Sequence, residues 1–241
     1  MIIHRHQNAH RIYVRGVLLL CLFRSTLNHM YYIIFIPLAL LLLWTIGSYL
    51  VIRNLEEPAY TVLEQKDGYE IRAYAPYITA QTEVTGKYSQ ALNQGFRLVA
   101  NYIFGNNLTQ ESIAMTVPVL ESTPESEKIA MTVPVLNTAK DAETRIISFV
   151  LPSKYTLDTL PTPNDPRVIL NEVPARTVAV LRFSWYATQS RVQQKTMLLQ
   201  THLERDGIAA SGAVETAQYN PPFSMPLIHR NEIIIPIETI E

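Results

Sequence analysis

Cysteine is nearly missing from this chain: Cys21 is the only one in 241 residues. No disulfide can close within the chain and no multi-cysteine metal site can form, so the fold must rest on its own core. Histidine is scarce where it would matter. His4, His6, His10 and His29 all precede residue 30, which leaves only His202 and His229 to the body of the chain. Basic charge is in deficit too. Residues 57–241 hold 15 Lys/Arg against 20 Asp/Glu, a net charge of −5. With no basic cluster interleaved with aromatics, this balance argues against nucleic acid as a partner. Catalytic signatures are lacking as well: no phosphate loop, paired-carboxylate motif or metal-ligand spacing stands out. Ser184, His202 and Asp206 are the residue types of a hydrolytic triad, but no nucleophile elbow surrounds Ser184. A binding protein is expected rather than an enzyme.

One absence carries positive information. Residues 25–52 contain no Asp, Glu, Lys or Arg. The 22-residue run 31–52 would span about 33 Å as a helix, enough to cross a bilayer. Arg5, Arg11, Arg15 and Arg24 precede it, whereas Arg53 is followed closely by Glu56 and Glu57. The bias predicts a cytoplasmic N-terminal segment, residues 1–30, and a body on the non-cytoplasmic (periplasmic or extracellular) side. Met30 sits immediately before the run, so those first residues are also open to a reading as an upstream start. A cleavable signal peptide is the alternative, but no small-x-small site closely follows the apolar run.

The stretch at 113–136 organises the body. It reads IAMTVPVL, then ESTPESEK, then IAMTVPVL again. The β-branched composition of each copy predicts a strand, the two strands forming a hairpin covered on both faces. Pro118 and Pro134 cannot donate to a ladder and mark edges or bulges. Met115 and Met131 either pack in the core or line a cavity for a flat apolar ligand. Their sharing of one face depends on whether the register sum is even.

Strand patterns are also expected at Tyr60–Leu63, Tyr69–Tyr74, Tyr77–Val84, Arg145–Leu151, Arg167–Asn171, Arg176–Phe183, Val214–Tyr219 and Glu232–Ile237. Helical spacing covers Lys87–Phe104 and Thr188–Arg205. Two similar halves, each with one long helix, predict an α+β domain over 57–241. The expected architecture is a pseudo-symmetric, distorted antiparallel β-barrel with both helices outside, preceded by the transmembrane helix.

Four separated motifs carry a resemblance: the doubled IAMTVPVL, YEIRAY at 69–74, VPARTVAVLRFSW at 173–185 and YNPPFSMPLIHRNEI at 219–233. Together, in this order, they resemble the SOUL/heme-binding protein family. The resemblance implies binding of heme or another tetrapyrrole in an apolar groove, and a fold related to bacterial effector-binding domains. By position it puts Phe96 and Ala100 of the first long helix against the tetrapyrrole plane. Asn93 stands where a propionate-binding arginine is expected. The C-terminal loop, where another basic partner is expected, brings Met225, His229 and Arg230. Iron ligation would come from His229, Met115, Met131, Met225 or a tyrosine, with His229 otherwise a surface residue in a polar turn beside Arg230. No histidine lies between 57 and 201 to serve as an axial ligand near the first strands. The runner-up is a non-heme small-effector or protein-interaction module on the same fold.

Overall fold

The computed structural model describes residues 31–51, 53, 55–109, 126–141 and 143–238. The chain divides between Tyr49 and Leu50 into two units. Helix α1 (Tyr31–Val51) is 21 residues, long and apolar enough to cross a bilayer. Tyr31 and Phe35, one turn apart, stack at 5.2 Å.

The second unit is built on one nine-stranded antiparallel sheet. Its first three strands are β1 (Tyr60–Gln65), β2 (Glu70–Tyr74) and β3 (Tyr77–Thr85), followed by helix α2 (Tyr88–Ile103). Then come β4 (Asn107–Leu108), β5 (Val135–Ala139), β6 (Thr144–Val150), β7 (Thr162–Pro163), β8 (Ile169–Val173) and β9 (Arg176–Phe183). Helix α3 (Gln189–Arg205), β10 (Glu215–Gln218) and β11 (Asn231–Pro236) complete the fold. The order across the sheet is β1-β2-β9-β11-β10-β5-β6-β3-β8, while β4 and β7 pair separately.

This order contains two equivalent halves. In each, a strand–strand–helix–strand–strand unit (β2-β3-α2-β5-β6 and β8-β9-α3-β10-β11) contributes its first strand to the other half. Thus β2 pairs with β9 and β8 pairs with β3. The halves meet at the β5–β10 seam, where Asn137 lies directly opposite Thr216. The sheet curls into a half-barrel whose edges among the described residues are β1 and β8, the distorted antiparallel barrel expected from the sequence.

Alternation assigns the faces. On the helix-bearing face, Ala80, Val84, Ile147 and Phe149 pack against Ala91, Val99 and Ile103 of α2. Ala179, Leu181, Ile233 and Ile235 pack with Leu199 and Leu203 of α3. The opposite face buries Tyr74, Val133, Leu136, Val178, Val180, Tyr219 and Ile234, with Leu55 packed against them.

The repeat does not behave as expected. Its first copy, with Met115, lies outside the described residues, and with it the predicted hairpin and register. In the second copy only Val135 and Leu136 belong to a strand. Pro134 has no N–H for the ladder, so β5 can start only after it. Upstream, Ile129 donates to the Ile103 carbonyl at 2.9 Å and Val133 to the Glu56 carbonyl at 2.9 Å. The copy is therefore a crossing segment, with Ile129 in the core under α2 and Val133 in the core on the other face.

Candidate functional site

Helix α2 rests on the sheet through small residues. Gly95 and Ala91 are buried, and a Cβ on Gly95 would stand 2.4 Å from Ile147 Cγ1. At about 100° per residue, Tyr88, Leu92, Phe96 and Ala100 step round by about 40° each and trace a stripe along one flank. Phe96 sits on the ring of Phe149 at 5.1 Å and remains 40% exposed, whereas Ala100 is 6% exposed. Asn93 lies further round the same flank and is exposed.

At the Tyr88 end of this stripe a groove of about 480 Å³ opens between α2 and α3. Its floor is the seam of the two halves, Asn137 and Thr216, and its far wall is Gln189, Val192, Gln193 and Met197 of α3. The i, i+3, i+4 spacing of that wall puts these side chains on one helix face. Arg145 stands at the groove with its guanidinium 4.7 Å from the Tyr88 ring centroid. Among the described residues no carboxylate pairs with it. Asn137 is 3% exposed, and its Oδ1 has no hydrogen-bond partner. Burial raises the Tyr88 phenol above its ordinary pKa, against the opposing pull of Arg145 and the Asn137 amide. The Tyr88 hydroxyl donates to the Ala187 carbonyl at 3.1 Å and ties α2 to the loop before α3.

The C-terminal loop residues lie elsewhere and are already engaged. Arg230 donates to both Glu57 oxygens at 2.8 and 2.9 Å and to Glu232 Oε1 at 3.0 Å. Its guanidinium also lies 3.8 Å from the Tyr219 ring centroid. It is held within the fold by these two carboxylates. His229 is buried, with Nε2 3.0 Å from the Ser224 carbonyl and its ring edge-on to Tyr186 at 5.0 Å. The alternative of a surface residue in a polar turn is corrected, since the side chain is interior. Met225 is 8% exposed, as core packing requires, and Met131 is 37% exposed on the crossing segment. Trp185 next to this loop has φ +72°, in the left-handed region that large side chains avoid. Its N–H donates to the Pro226 carbonyl at 3.1 Å, and its carbonyl accepts from Asn231 Nδ2 at 2.6 Å.

The triad residue types do not converge. His202 Nδ1 contacts the Asp67 carbonyl at 2.9 Å, and Asp206 accepts from the Tyr69 hydroxyl at 2.7 Å. Ser184 precedes α3, whereas His202 is near its other end, roughly 20 Å along the axis.

None of Asn93, Phe96, Ala100, Met131, Met225, His229 or Arg230 lines the groove. Of the residues that do, Arg145, Asn137, Tyr88, Gln193 and Met197 among them, none was read from the sequence as a site residue. A usable signal was present for two of them. Arg145 opens the strand RIISFVL on the face of Ile147 and Phe149, and Asn137 interrupts an apolar strand directly after the repeat.

The fold and groove thus define a two-half α+β binding module with a partly apolar, partly polar cleft at its seam. Residues 55–236 match the family model described as SOUL heme-binding protein. The chain belongs to that family. It is 30% identical to human heme-binding protein 2 over 174 residues, covering 69% of this chain and 76% of the relative. Identity to heme-binding protein 1 of Xenopus laevis is 26% over 172 residues, 70% of this chain and 84% of the relative. Among solved structures, the C-terminal domain of EcmrR is similar in fold, with a TM-score of 0.51 at 10% identity. That match covers 75% of this chain and 99% of the EcmrR domain.

Proposed function

We propose that this protein binds a tetrapyrrole, heme or a relative, along the α2 flank, as a module anchored to a membrane by α1. The observation that carries the reading is the α2 flank on which the half-exposed Phe96 stands about two turns from Tyr88, which lines a groove with polar groups. A flat apolar ligand with carboxylates needs that combination. The residues present fit such a ligand: Arg145 lacks a carboxylate among the described residues, and the buried Asn137 Oδ1 lacks a partner. Family membership and relatives named heme-binding proteins support the reading.

A tetrapyrrole supplies the flat apolar face and the acids; the chain supplies the surface and the counter-charge. Titrating the full-length protein in lipid nanodiscs with hemin should shift the Soret band and saturate at one equivalent. Phe96→Ala should weaken hemin and metal-free protoporphyrin alike. Asn93→Arg adds a cation beside Phe96, and a charge-assisted bond of about 1.5–3 kcal/mol would tighten both by about tenfold or more. If neither substitution changes either affinity, the ligand does not lie on this flank. A second reading, a non-heme effector or protein-interaction module, is favoured by the engagement of His229 and Arg230 within the fold. It becomes the better one if hemin does not saturate.

The anchored topology rests on the uncharged run 25–52 and the four arginines before it. A reporter active only in the cytoplasm, fused after Glu241, is expected to be silent. An active one would place the body on the cytoplasmic side.

A further inference from the structure

Two features of the groove specify its ligand more closely than the class. Asn137 and Arg145 share a face of the sheet, because Asn137 pairs with Ile147, two residues from Arg145. Such diagonal neighbours stand about 7–8 Å apart. Among the described residues Arg145 has no carboxylate partner, and the buried Asn137 Oδ1 has no donor. A ligand matching both carries an acid and, within about one ring's reach of it, an N–H or O–H.

We infer that the seam groove selects an open-chain tetrapyrrole over an iron porphyrin, with Arg145 meeting a propionate and Asn137 Oδ1 accepting a ring or lactam N–H. This rests on the tetrapyrrole reading above and sharpens it. In an iron porphyrin all four nitrogens bind the metal, so no N–H is left to donate. An open-chain tetrapyrrole keeps N–H groups at its ends. The unpaired Asn137 acceptor then has its partner only in the loaded protein. In the free protein it is a local cost, since a buried acceptor with no donor is destabilising.

That cost makes the inference testable by two independent readouts. The full-length protein in nanodiscs is titrated with biliverdin, biliverdin dimethyl ester and hemin, with empty nanodiscs subtracted. Biliverdin is expected to bind at least tenfold more tightly than hemin. Arg145→Gln is expected to weaken biliverdin by about tenfold while leaving its dimethyl ester unchanged. Asn137→Leu is expected to weaken biliverdin and its ester alike by about tenfold, yet to raise the melting midpoint of the free protein by a few degrees. A residue with a merely structural role would not move stability and affinity in opposite directions. Hemin binding as tightly as biliverdin, or an ester as sensitive to Arg145→Gln as the acid, overturns the inference and leaves the broader reading standing. Failure of both pigments to bind overturns the broader reading itself.

Discussion

Glu232→Ala is expected to destabilise the folded domain by about 3–5 kcal/mol, because it leaves buried cations uncompensated. Glu232 is 0% exposed and Arg72 only 3%. The Glu232 carboxylate accepts from Arg72 at 3.0 and 3.4 Å, from Arg230 at 3.0 Å and from the Tyr219 hydroxyl at 2.7 Å. Arg72 reaches on to Glu70 and Arg230 to Glu57, so five charges alternate in sign along one line. Burial works against the Arg72 cation, but Glu232, Tyr74 and Glu70 together outweigh it and hold the guanidinium above its ordinary pKa. Burial and the Glu232 carboxylate push the Tyr219 phenol upward. Urea unfolding of Glu232→Ala should therefore show a large loss, with a midpoint fall of several degrees on heating. Replacing both partners by apolar residues, Glu232→Leu with Arg72→Met, should cost less than either change alone. The exposed Arg167–Asp165 pair is the contrast: Arg167→Ala should leave the unfolding midpoint unchanged, since solvent screens it. A Glu232→Ala protein as stable as the parent would show that the pairing around Glu232 contributes nothing.

The β-strands and helices were largely legible because their patterns are local. Arg176–Phe183 reads as a strand from its alternation, and the structure gives the same bounds. Helix α3 ends at Arg205, where the Asp206-Gly207 signal puts it. The exchange of first strands between the halves was not legible. β2 meets β9 across more than a hundred residues, and pairing at that distance leaves no periodicity behind. The repeat misled for a different reason. Its composition favours strands, yet Pro134 denies the ladder a donor and the Glu56 backbone takes over the pairing of Val133. Tertiary partners overrode propensity there.

The site was legible only as a family position. Phe96 could be read from the resemblance, and the structure leaves it partly exposed on the expected helix. Arg230 and His229 look in sequence like an exposed polar pair beside Asn231. Their partners are the Ser224 carbonyl, five residues back in the same loop, and Glu57, 173 residues away, and neither contact leaves a pattern in the sequence. Arg145 could not be assigned to the groove before the antiparallel register placed it diagonally from Asn137. A single residue's role depended on which strand lay beside it.

Gly95→Ala is expected to destabilise the protein by about 1–3 kcal/mol, although alanine is the better helix former by about 1 kcal/mol. The new Cβ would meet Ile147 Cγ1 at 2.4 Å and Ile147 Cβ at 2.7 Å. Those are not the far ends of a flexible side chain. Ile147 is 0% exposed and its Cβ is fixed to strand β6, so α2 itself must lift from the sheet. Ile147→Ala removes the nearer contact and keeps the Cβ, so it should rescue Gly95→Ala only in part. Gly207→Ala should also cost stability, but for another reason: Gly207 has φ +67° and nothing within 4 Å, so backbone strain alone acts there. The two substitutions separate in their effect on the groove. Lifting α2 displaces the Tyr88–Phe96 flank, and pigment binding should weaken with Gly95→Ala in proportion to the shift. Gly207→Ala, beyond the far end of α3, should leave binding intact at temperatures where the protein stays folded. Equal stability of Gly95→Ala and the parent would mean that α2 does not sit against Ile147 as closely as 2.4 Å demands.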